Sequence, residues 1–268
     1  MELPINQFKR RLLAGDTQFG LWLGLPDSSC AEICAAAGFD WLLIDAEHAP
    51  FDVPGVMSHL QAIQPYDCSA LVRPASDDRA LLKQLLDVGA QSLLVPMVET
   101  AQQAEELVKS VYYPPRGVRG LGTSLARAAR WNAVPDYLHR ANDEICLLVQ
   151  VETMSAMDNL DDILKVEGID GVFIGPSDLS ASMGHIGNPA HPEVVAAIEN
   201  GLVKITAAGK AAGLLAMIPS MVQAYIDKGA TFVGVGVDTL CLANASKDLV
   251  NTFKGDGKAK ASKPQAGY

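Results

Sequence analysis

Short segments rich in Leu, Val and Ile alternate with amphipathic helical segments from about residue 18 to about residue 250. Alternation of this kind is typical of parallel strands that are connected by helices. Because the apolar segments are almost continuously hydrophobic, we expect strands that are buried on both faces. The predicted strands are Gly20–Leu25, Trp41–Asp45, Ala70–Arg73, Ser92–Met97, Cys146–Glu152, Gly171–Ile174, Gly213–Met217 and Phe232–Val237.

A glycine recurs at the junction between a predicted helix and the strand that follows it. It stands there as Gly38, Gly89, Gly168 and Gly229, where a left-handed helix cap is needed. The eight predicted strands, each followed by a helical segment, predict an α/β fold: a single-domain (β/α)8 TIM barrel over residues 1–253. The alternative is an open doubly wound sheet, but no Gly-x-Gly-x-x-Gly motif follows the first strand to support it.

Composition excludes several classes of protein. The 268 residues include 21 basic and 31 acidic side chains, a net charge of -10, which argues against binding to the phosphate backbone of nucleic acids. No apolar run approaches the roughly 18 residues of a membrane span, and no apolar segment follows Lys9 to Arg11 as it would in a signal peptide, so a cytoplasmic location is expected. The Gly, Ala and Lys-rich segment 254–268 is predicted to be a disordered tail.

Two carboxylates stand where predicted strands end, which is where a (β/α)8 barrel has its active site. Glu152 ends the fifth strand, and Asp178 follows the sixth. Carboxylates on consecutive strands suit a hard divalent cation and leave coordination positions for substrate and water. We therefore regard them as candidate metal ligands. The alternative is that Asp178 caps a helix and Glu152 lies on the solvated rim.

His48 and Arg73 are the candidate catalytic side chains. Asp45 precedes His48 by three residues, so we expect its carboxylate to hold the imidazole in one tautomer and raise its basicity. Arg73, followed by Pro74, offers a guanidinium to a carboxylate or a developing enolate oxygen. A loop histidine and a surface ion pair are the alternatives. No lysine ends a predicted strand, so carbonyl chemistry is expected to be metal-assisted rather than through a Schiff base.

Six longer motifs are distributed along the chain. They are Gly-Leu-Trp-Leu-Gly-Leu at 20–25, Ala-Gly-Phe-Asp-Trp-Leu-Leu-Ile-Asp-Ala-Glu-His at 37–48, Leu-Val-Pro-Met-Val at 94–98, Tyr-Pro-Pro-Arg-Gly-Val-Arg-Gly at 113–120, Gln-Val-Glu-Thr at 150–153 and Val-Phe-Ile-Gly-Pro-Ser-Asp-Leu-Ser at 172–180. With these motifs the chain closely resembles the metal-dependent (class II) pyruvate aldolases of the HpcH/HpaI family, from its first helix to about residue 250.

The resemblance implies reversible cleavage of a 4-hydroxy-2-oxo acid, foremost 4-hydroxy-2-oxoheptanedioate, to pyruvate and an aldehyde, here succinic semialdehyde. It implies a divalent cofactor (Mg2+, Mn2+ or Co2+) and a homohexamer in which paired subunits exchange the helix at 239–253. It also implies these roles: Glu152 and Asp178 as metal ligands, His48 with Asp45 as the base pair, Arg73 as the group that polarises the keto oxygen, and Gln150, Gly175, Ser177, Trp22 and Leu215 as residues bordering the substrate.

Three other functions fit part of the pattern. A sugar-acid aldolase acting on a 2-keto-3-deoxy-glucarate or rhamnonate would share the metal, His48 and Arg73. A CoA-ester lyase of the same superfamily would need a basic groove, which the sequence does not show. A non-catalytic barrel that binds an oxo acid would have no use for a base. Ser177, where the resemblance leads us to expect Ala, and the segment 216–220 depart from the family pattern.

Overall fold

Eight parallel strands close into a barrel in the computed structural model of this protein, which describes residues 1–254. The strands are β1 (Gln18–Leu23), β2 (Trp41–Asp45), β3 (Ser69–Arg73), β4 (Ser92–Val95), β5 (Cys146–Val151), β6 (Gly171–Ile174), β7 (Ala211–Leu215) and β8 (Ala230–Val237). Each strand pairs with the next, and β8 pairs with β1 in parallel, so the sheet has no free edge. The predicted (β/α)8 barrel is confirmed.

Helices connect the strands and cover the outside of the barrel. They are α1 (Gln7–Ala14), α2 (Ser28–Ala36), α3 (Val53–Ile63), α4 (Arg79–Asp87), α5 (Ala101–Val111), α6 (Tyr137–Arg140), α7 (Met154–Asp158), α8 (Leu160–Ile163), α9 (Pro176–Ser182), α10 (Pro192–Ala207), α11 (Pro219–Asp227) and α12 (Asp238–Lys254), with 3-10 turns at Arg127–Ala129 and Ala141–Glu144. None of the helices within residues 1–254 has both the length and the hydropathy needed to cross a membrane. Beyond Lys254, the predicted tail lies outside the described residues.

Several strand limits differ from those predicted, and side-chain hydrogen bonds explain two of them. β1 lies two residues earlier than Gly20–Leu25, because the Asp238 carboxylate accepts hydrogen bonds from the amides of Gly24 (2.8 Å) and Leu25 (3.1 Å) and draws them out of the ladder. β4 ends at Val95, since Met97 is left-handed (φ 56°) and turns its amide to Glu152. A local apolar pattern does not contain such long-range contacts.

Aromatic side chains fill the barrel interior and close its amino end. Phe8 of α1 is fully buried, and its ring lies edge-on to Trp41 (6.2 Å between centroids) and Phe232 (5.9 Å). Gly20 leaves room for this packing, because a Cβ there would come within 2.1 Å of the Trp41 ring. With the amino end plugged, the carboxyl ends of the strands are left to form the site.

Candidate active site

An ion pair between neighbouring strands lies at the carboxyl end of the barrel. Asp45 and Arg73 are in register as the last residues of β2 and β3. Nε and Nη2 of Arg73 donate to the two carboxylate oxygens of Asp45 at 2.9 and 2.6 Å. Both side chains are buried, and this bidentate contact fixes the orientation of the guanidinium. Arginine has five N–H donors, so donors remain for a substrate oxygen.

Asp45 and His48 do not form the predicted side-chain pair. Oδ1 of Asp45 accepts hydrogen bonds from the backbone amides of Glu47 (3.1 Å) and His48 (3.4 Å), so the chain turns around this carboxylate after β2. The His48 side chain is 67% exposed, and its Nε2 lies 3.7 Å from Oε2 of Glu47. Because the Arg73 fork fits a carboxylate on the adjacent strand, Asp45 positions the arginine instead of the imidazole.

Glu47 is a site residue that our sequence reasoning missed. Its Oε2 lies 3.0 Å from Nη1 of Arg73, but this atom makes no aligned hydrogen bond to the described residues. Burial raises the pKa of Glu47, and the nearby Arg73 and His48 partly offset that rise. Its position in the sequence, between Asp45 and His48 just after the end of β2, is the feature from which a role for Glu47 could have been predicted.

The Glu152 carboxylate is buried at the end of β5 and held at both oxygens. Oε1 accepts a hydrogen bond from the Met97 amide (2.9 Å), and Oε2 accepts one from Nε2 of Gln150. Burial raises the pKa of Glu152; these two hydrogen bonds lower it, and the negative charges of Asp178 and Glu47 raise it further. The structure thus brings together the two predicted metal ligands and adds Glu47 near them.

The first turn of α9 carries the remaining polar candidates. Gly175 is the N-cap, and Ser177 and Asp178 follow it as exposed residues. The first amides of a helix have no partners within the helix and favour negative charge, so this turn suits the carboxylate of a small acid. The Ser177 carbonyl accepts a hydrogen bond from the Ser180 hydroxyl (2.7 Å), so this Ser177 oxygen is already engaged.

Trp22 and Leu215 form an apolar wall beside these groups. Trp22 is buried, with the Arg73 guanidinium 5.9 Å from its ring centroid, and Leu215 is half-buried. Gly234 lies between the two side chains, since a Cβ there would come within 2.5 Å of Trp22 and 2.9 Å of Leu215. The predicted pocket residues Trp22 and Leu215 therefore adjoin one another, with Trp22 next to Arg73.

The residues present fit a divalent cation. Glu47, Glu152 and Asp178 lie near one another, because the Asp178 charge raises the pKa of both Glu47 and Glu152, and the Glu47 charge also raises the pKa of Glu152. Arg73 is already paired with Asp45, so negative charge is in excess here. Hard carboxylate oxygens favour Mg2+ or Mn2+, and Glu152 and Asp178 would hold the ion.

Gly175 provides a test of this arrangement. A Cβ at Gly175 would lie 2.5 Å from Oε2 and 2.8 Å from Cβ of Glu152. We expect Gly175→Ala to displace Glu152 and to lower kcat/KM for the cleavage reaction that the resemblance implies by about 100-fold, the effect of a displacement near 1 Å. Steady-state kinetics checks this against Gly122→Ala, where an added Cβ meets nothing within 4 Å. Equal activity of the two variants would show that Glu152 does not need its present position.

The sequence of this chain is similar to a known protein family and to individual aldolases. Residues 18–245 match the family model described as HpcH/HpaI aldolase/citrate lyase. A hydroxypyruvate/pyruvate aldolase of Pseudomonas aeruginosa is 56% identical over 262 residues, which cover 98% of each chain. A 4-hydroxy-2-oxo-heptane-1,7-dioate aldolase of Escherichia coli is 56% identical over 259 residues, covering 97% of this chain and 98% of the relative.

A solved structure agrees with the fold over nearly its whole length. An HpcH/HpaI aldolase/citrate lyase family protein from Burkholderia cenocepacia superposes with a TM-score of 0.89 at 36% sequence identity. The match covers 92% of this chain and 98% of that protein. The similarity in sequence and the similarity in structure point to the same family.

Proposed function

Because this chain belongs to the HpcH/HpaI aldolase/citrate lyase family and is a carbon–carbon lyase of the aldolase type, we propose that it cleaves 4-hydroxy-2-oxoheptanedioate to pyruvate and succinic semialdehyde, reversibly. One observation carries the assignment of the site: Arg73, held by Asp45, lies beside Glu47, and Glu47 in turn lies close to Glu152 and Asp178. An oxo acid needs a fixed positive donor together with a site for a divalent cation.

Arg73 binds the 2-oxo oxygen and stabilises the negative charge that develops there. Two of its donors are used on Asp45, which fixes the guanidinium, and the remaining donors are available to a substrate oxygen. A bound divalent cation, held by Glu152 and Asp178, supplies Lewis-acid polarisation of the oxo acid. The first turn of α9, at Gly175 and Ser177, receives the substrate carboxylate, and Gln150 keeps Glu152 in place.

His48 is the group that moves the proton. Its exposed ring, beside Glu47, accepts the C4 hydroxyl proton of the substrate. The C4 oxygen then forms the aldehyde carbonyl as the C3–C4 bond breaks, and the electron pair of that bond passes to the pyruvate fragment as an enolate. Protonation at C3 completes pyruvate. Trp22 and Leu215 exclude water from this face of the pocket.

The identity of the oxo acid has a second candidate. The Pseudomonas aeruginosa relative is named for hydroxypyruvate as well as pyruvate, and it is as similar as the Escherichia coli heptanedioate aldolase. Hydroxypyruvate has the same 2-oxo acid group, so it would use Arg73 and the carboxylates in the same way. The aldehyde half depends on the outer pocket, and segment 216–220, which follows β7, is the part of the chain that we expect to differ from the family pattern.

The assay for this function follows pyruvate release from 4-hydroxy-2-oxoheptanedioate by metal-free protein, with Mg2+, Mn2+ or Co2+ added back and EDTA as control. We expect release that depends on the added metal and that His48→Ala abolishes, whereas His139→Ala, at an exposed histidine of α6, leaves it intact. Metal-dependent proton exchange in pyruvate without cleavage of 4-hydroxy-2-oxoheptanedioate would indicate a different substrate, either an aldol adduct of hydroxypyruvate or a 2-keto-3-deoxy sugar acid. Absence of both reactions would overturn the aldolase assignment.

Metal binding should weaken as the pH falls. Burial raises the pKa of Glu152 above its usual 4.5, so protons compete with a metal ion for this carboxylate at a higher pH than they would at an ordinary glutamate. Because the pKa of Glu152 is higher in the folded than in the unfolded chain, its protonation contributes to the stability of the metal-free fold. This contribution is fully present below pH 4.5 and is lost as the pH rises through the folded-state pKa. We therefore expect Mg2+ to raise Tm more at about pH 7.5 than at about pH 5. Thermal unfolding with Na+ at matched ionic strength is the control, and equal shifts at both pH values would contradict the prediction.

The homohexamer with exchanged helices is part of this proposal. Every residue of α12 from Leu240 to Lys254 is exposed in the single chain, Leu249 and Phe253 among them. Apolar side chains exposed in this number favour a second copy of the chain as partner. Size-exclusion chromatography with light scattering measures the molar mass and so tests the hexamer. Cell fractionation tests the expected cytoplasmic location.

A further inference from the structure

Two imidazoles and a carboxylate meet where the segment that follows α9 enters α10, outside the site described above. One ligand atom each of His185, His191 and Glu193 lies within 4.8 Å of the other two. Nε2 of His185 is 2.8 Å from Oε2 of Glu193, and the two imidazole rings stack with centroids 3.5 Å apart. None of these residues takes part in the proposed aldol chemistry.

The backbone holds this cluster in place before any ligand arrives. The His185 amide donates to the Ser180 carbonyl (2.7 Å), and the His191 amide donates to the Asn188 carbonyl (3.1 Å). His191 is also the N-cap of the 16-residue helix α10. The segment is therefore anchored at the end of α9 and at the start of α10, so binding costs little backbone entropy.

The donor atoms suit a borderline transition metal better than Mg2+. Imidazole nitrogens favour Zn2+, Ni2+ and Cu2+, whereas Mg2+ favours oxygen ligands. Hydrogen bonding to His185 lowers the pKa of Glu193, which keeps this carboxylate ionised. Tetrahedral Zn2+ with bonds of about 2.0 to 2.1 Å places two ligand atoms about 3.3 Å apart, so the present 2.8 Å contact needs to open only slightly.

We propose that His185, His191 and Glu193 form a second metal site, selective for Zn2+ or a similar borderline divalent ion and separate from the centre at Glu152 and Asp178. The ion takes the place of the hydrogen between His185 and Glu193. The His191 ring turns out of the stack to become the third ligand, giving up the 3.3 Å hydrogen bond that its Nδ1 accepts from the Glu193 amide. Water fills the fourth position.

Occupancy of this site ties α9 to α10. Asp178 lies in the first turn of α9, and His185 follows the end of the same helix, whereas Glu193 lies in the first turn of α10. A metal ion that links them adds a cross-link close to the catalytic end of the barrel, and it stabilises the folded state by mass action. The inference does not depend on the identity of the aldol substrate.

The test measures how many Zn2+ ions untagged protein binds when it is already saturated with Mg2+. Calorimetric titration gives the stoichiometry and affinity for Zn2+, and the visible absorption of Co2+, added in place of Zn2+, reports the type of ligand. We expect wild-type protein to bind one more equivalent of Zn2+ than His185→Ala, or to bind it about 100-fold more tightly, because a direct ligand is lost. Glu193→Gln is the second variant, and His139→Ala, at an exposed histidine of α6, is the matched control. Zn2+ is expected to raise Tm of the wild type and of His139→Ala more than that of His185→Ala.

The outcomes are distinct from those of the aldolase assay. Equal Zn2+ stoichiometry and affinity in wild type, His185→Ala and Glu193→Gln would overturn the proposal. A thiolate-to-Co2+ charge-transfer band, unaffected by these variants, would assign the extra ion to free cysteines such as the exposed Cys241 and would also overturn it. Histidine side-chain resonances that shift on Zn2+ addition at His185 and His191, with His139 unchanged, would support it even if a variant folds poorly.

Discussion

Replacing Arg73 by Lys is expected to lower kcat for aldol cleavage by about 100-fold or more, the usual loss when one fixed donor to a developing oxyanion is removed. Lysine keeps the positive charge but lacks the planar fork, so it cannot bind both oxygens of Asp45 and present further donors to the substrate. The measurement is kcat from pyruvate release at saturating metal and substrate.

The matched control is Arg79→Lys, at an arginine whose ion pair with Glu106 (3.1 Å) lies on the surface and is worth little. A second variant, Arg73→Ala, separates chemistry from folding: guanidinium added to the solution is expected to restore part of its activity. If Arg73→Lys cleaves the substrate at the wild-type rate, Arg73 is not the group that stabilises the enolate.

Replacing Glu152 by Gln is expected to weaken Mg2+ or Mn2+ binding by about 100-fold or more. Mutation of residues that only support a metal ligand already costs 10 to 100-fold, so loss of a direct ligand belongs at or beyond the upper limit. Glutamine keeps the size and an acceptor for the Met97 amide, so the fold near β5 is retained while the charge is removed. Calorimetric titration of the metal measures the effect.

Activity at fixed, low metal concentration should fall in parallel and recover partly when the metal is raised. Glu105→Gln, at an exposed position on α5, removes the same charge away from the site and serves as the control. Unchanged metal affinity in Glu152→Gln would exclude this carboxylate as a ligand, and the same test applied to Asp178→Asn would show whether the pair acts together.

The predicted site is partly a consequence of topology. Because Glu152 follows β5 and Asp178 follows β6, any closed parallel barrel brings them to the same end, and the Asp178 charge is near enough to raise the pKa of Glu152. Asp45 and Arg73 were expected at that end for the same reason. Their direct pairing was not predicted, because it depends on the register of β2 with β3, which the local sequence does not encode.

The Asp45–His48 pair is the clearest error, and it has a physical cause. A spacing of three residues brings two side chains near each other only if the chain between them follows a suitable turn. Here the turn brings the amides of Glu47 and His48 to the Asp45 carboxylate, and Arg73 takes both of its oxygens. His48 is left on the exposed side of the turn, beside Glu47.

What the sequence by itself determined is the barrel. Continuous apolar strands and left-handed glycines such as Gly38 and Gly229 are local features, and local features suffice to predict buried parallel strands joined by helices. Tertiary structure alone decided which side chains meet: Asp45 with Arg73, Glu47 with His48, and His185 with Glu193. Such contacts depend on strand register, turn geometry and side-chain rotamers, which are set by packing across elements distant in the chain.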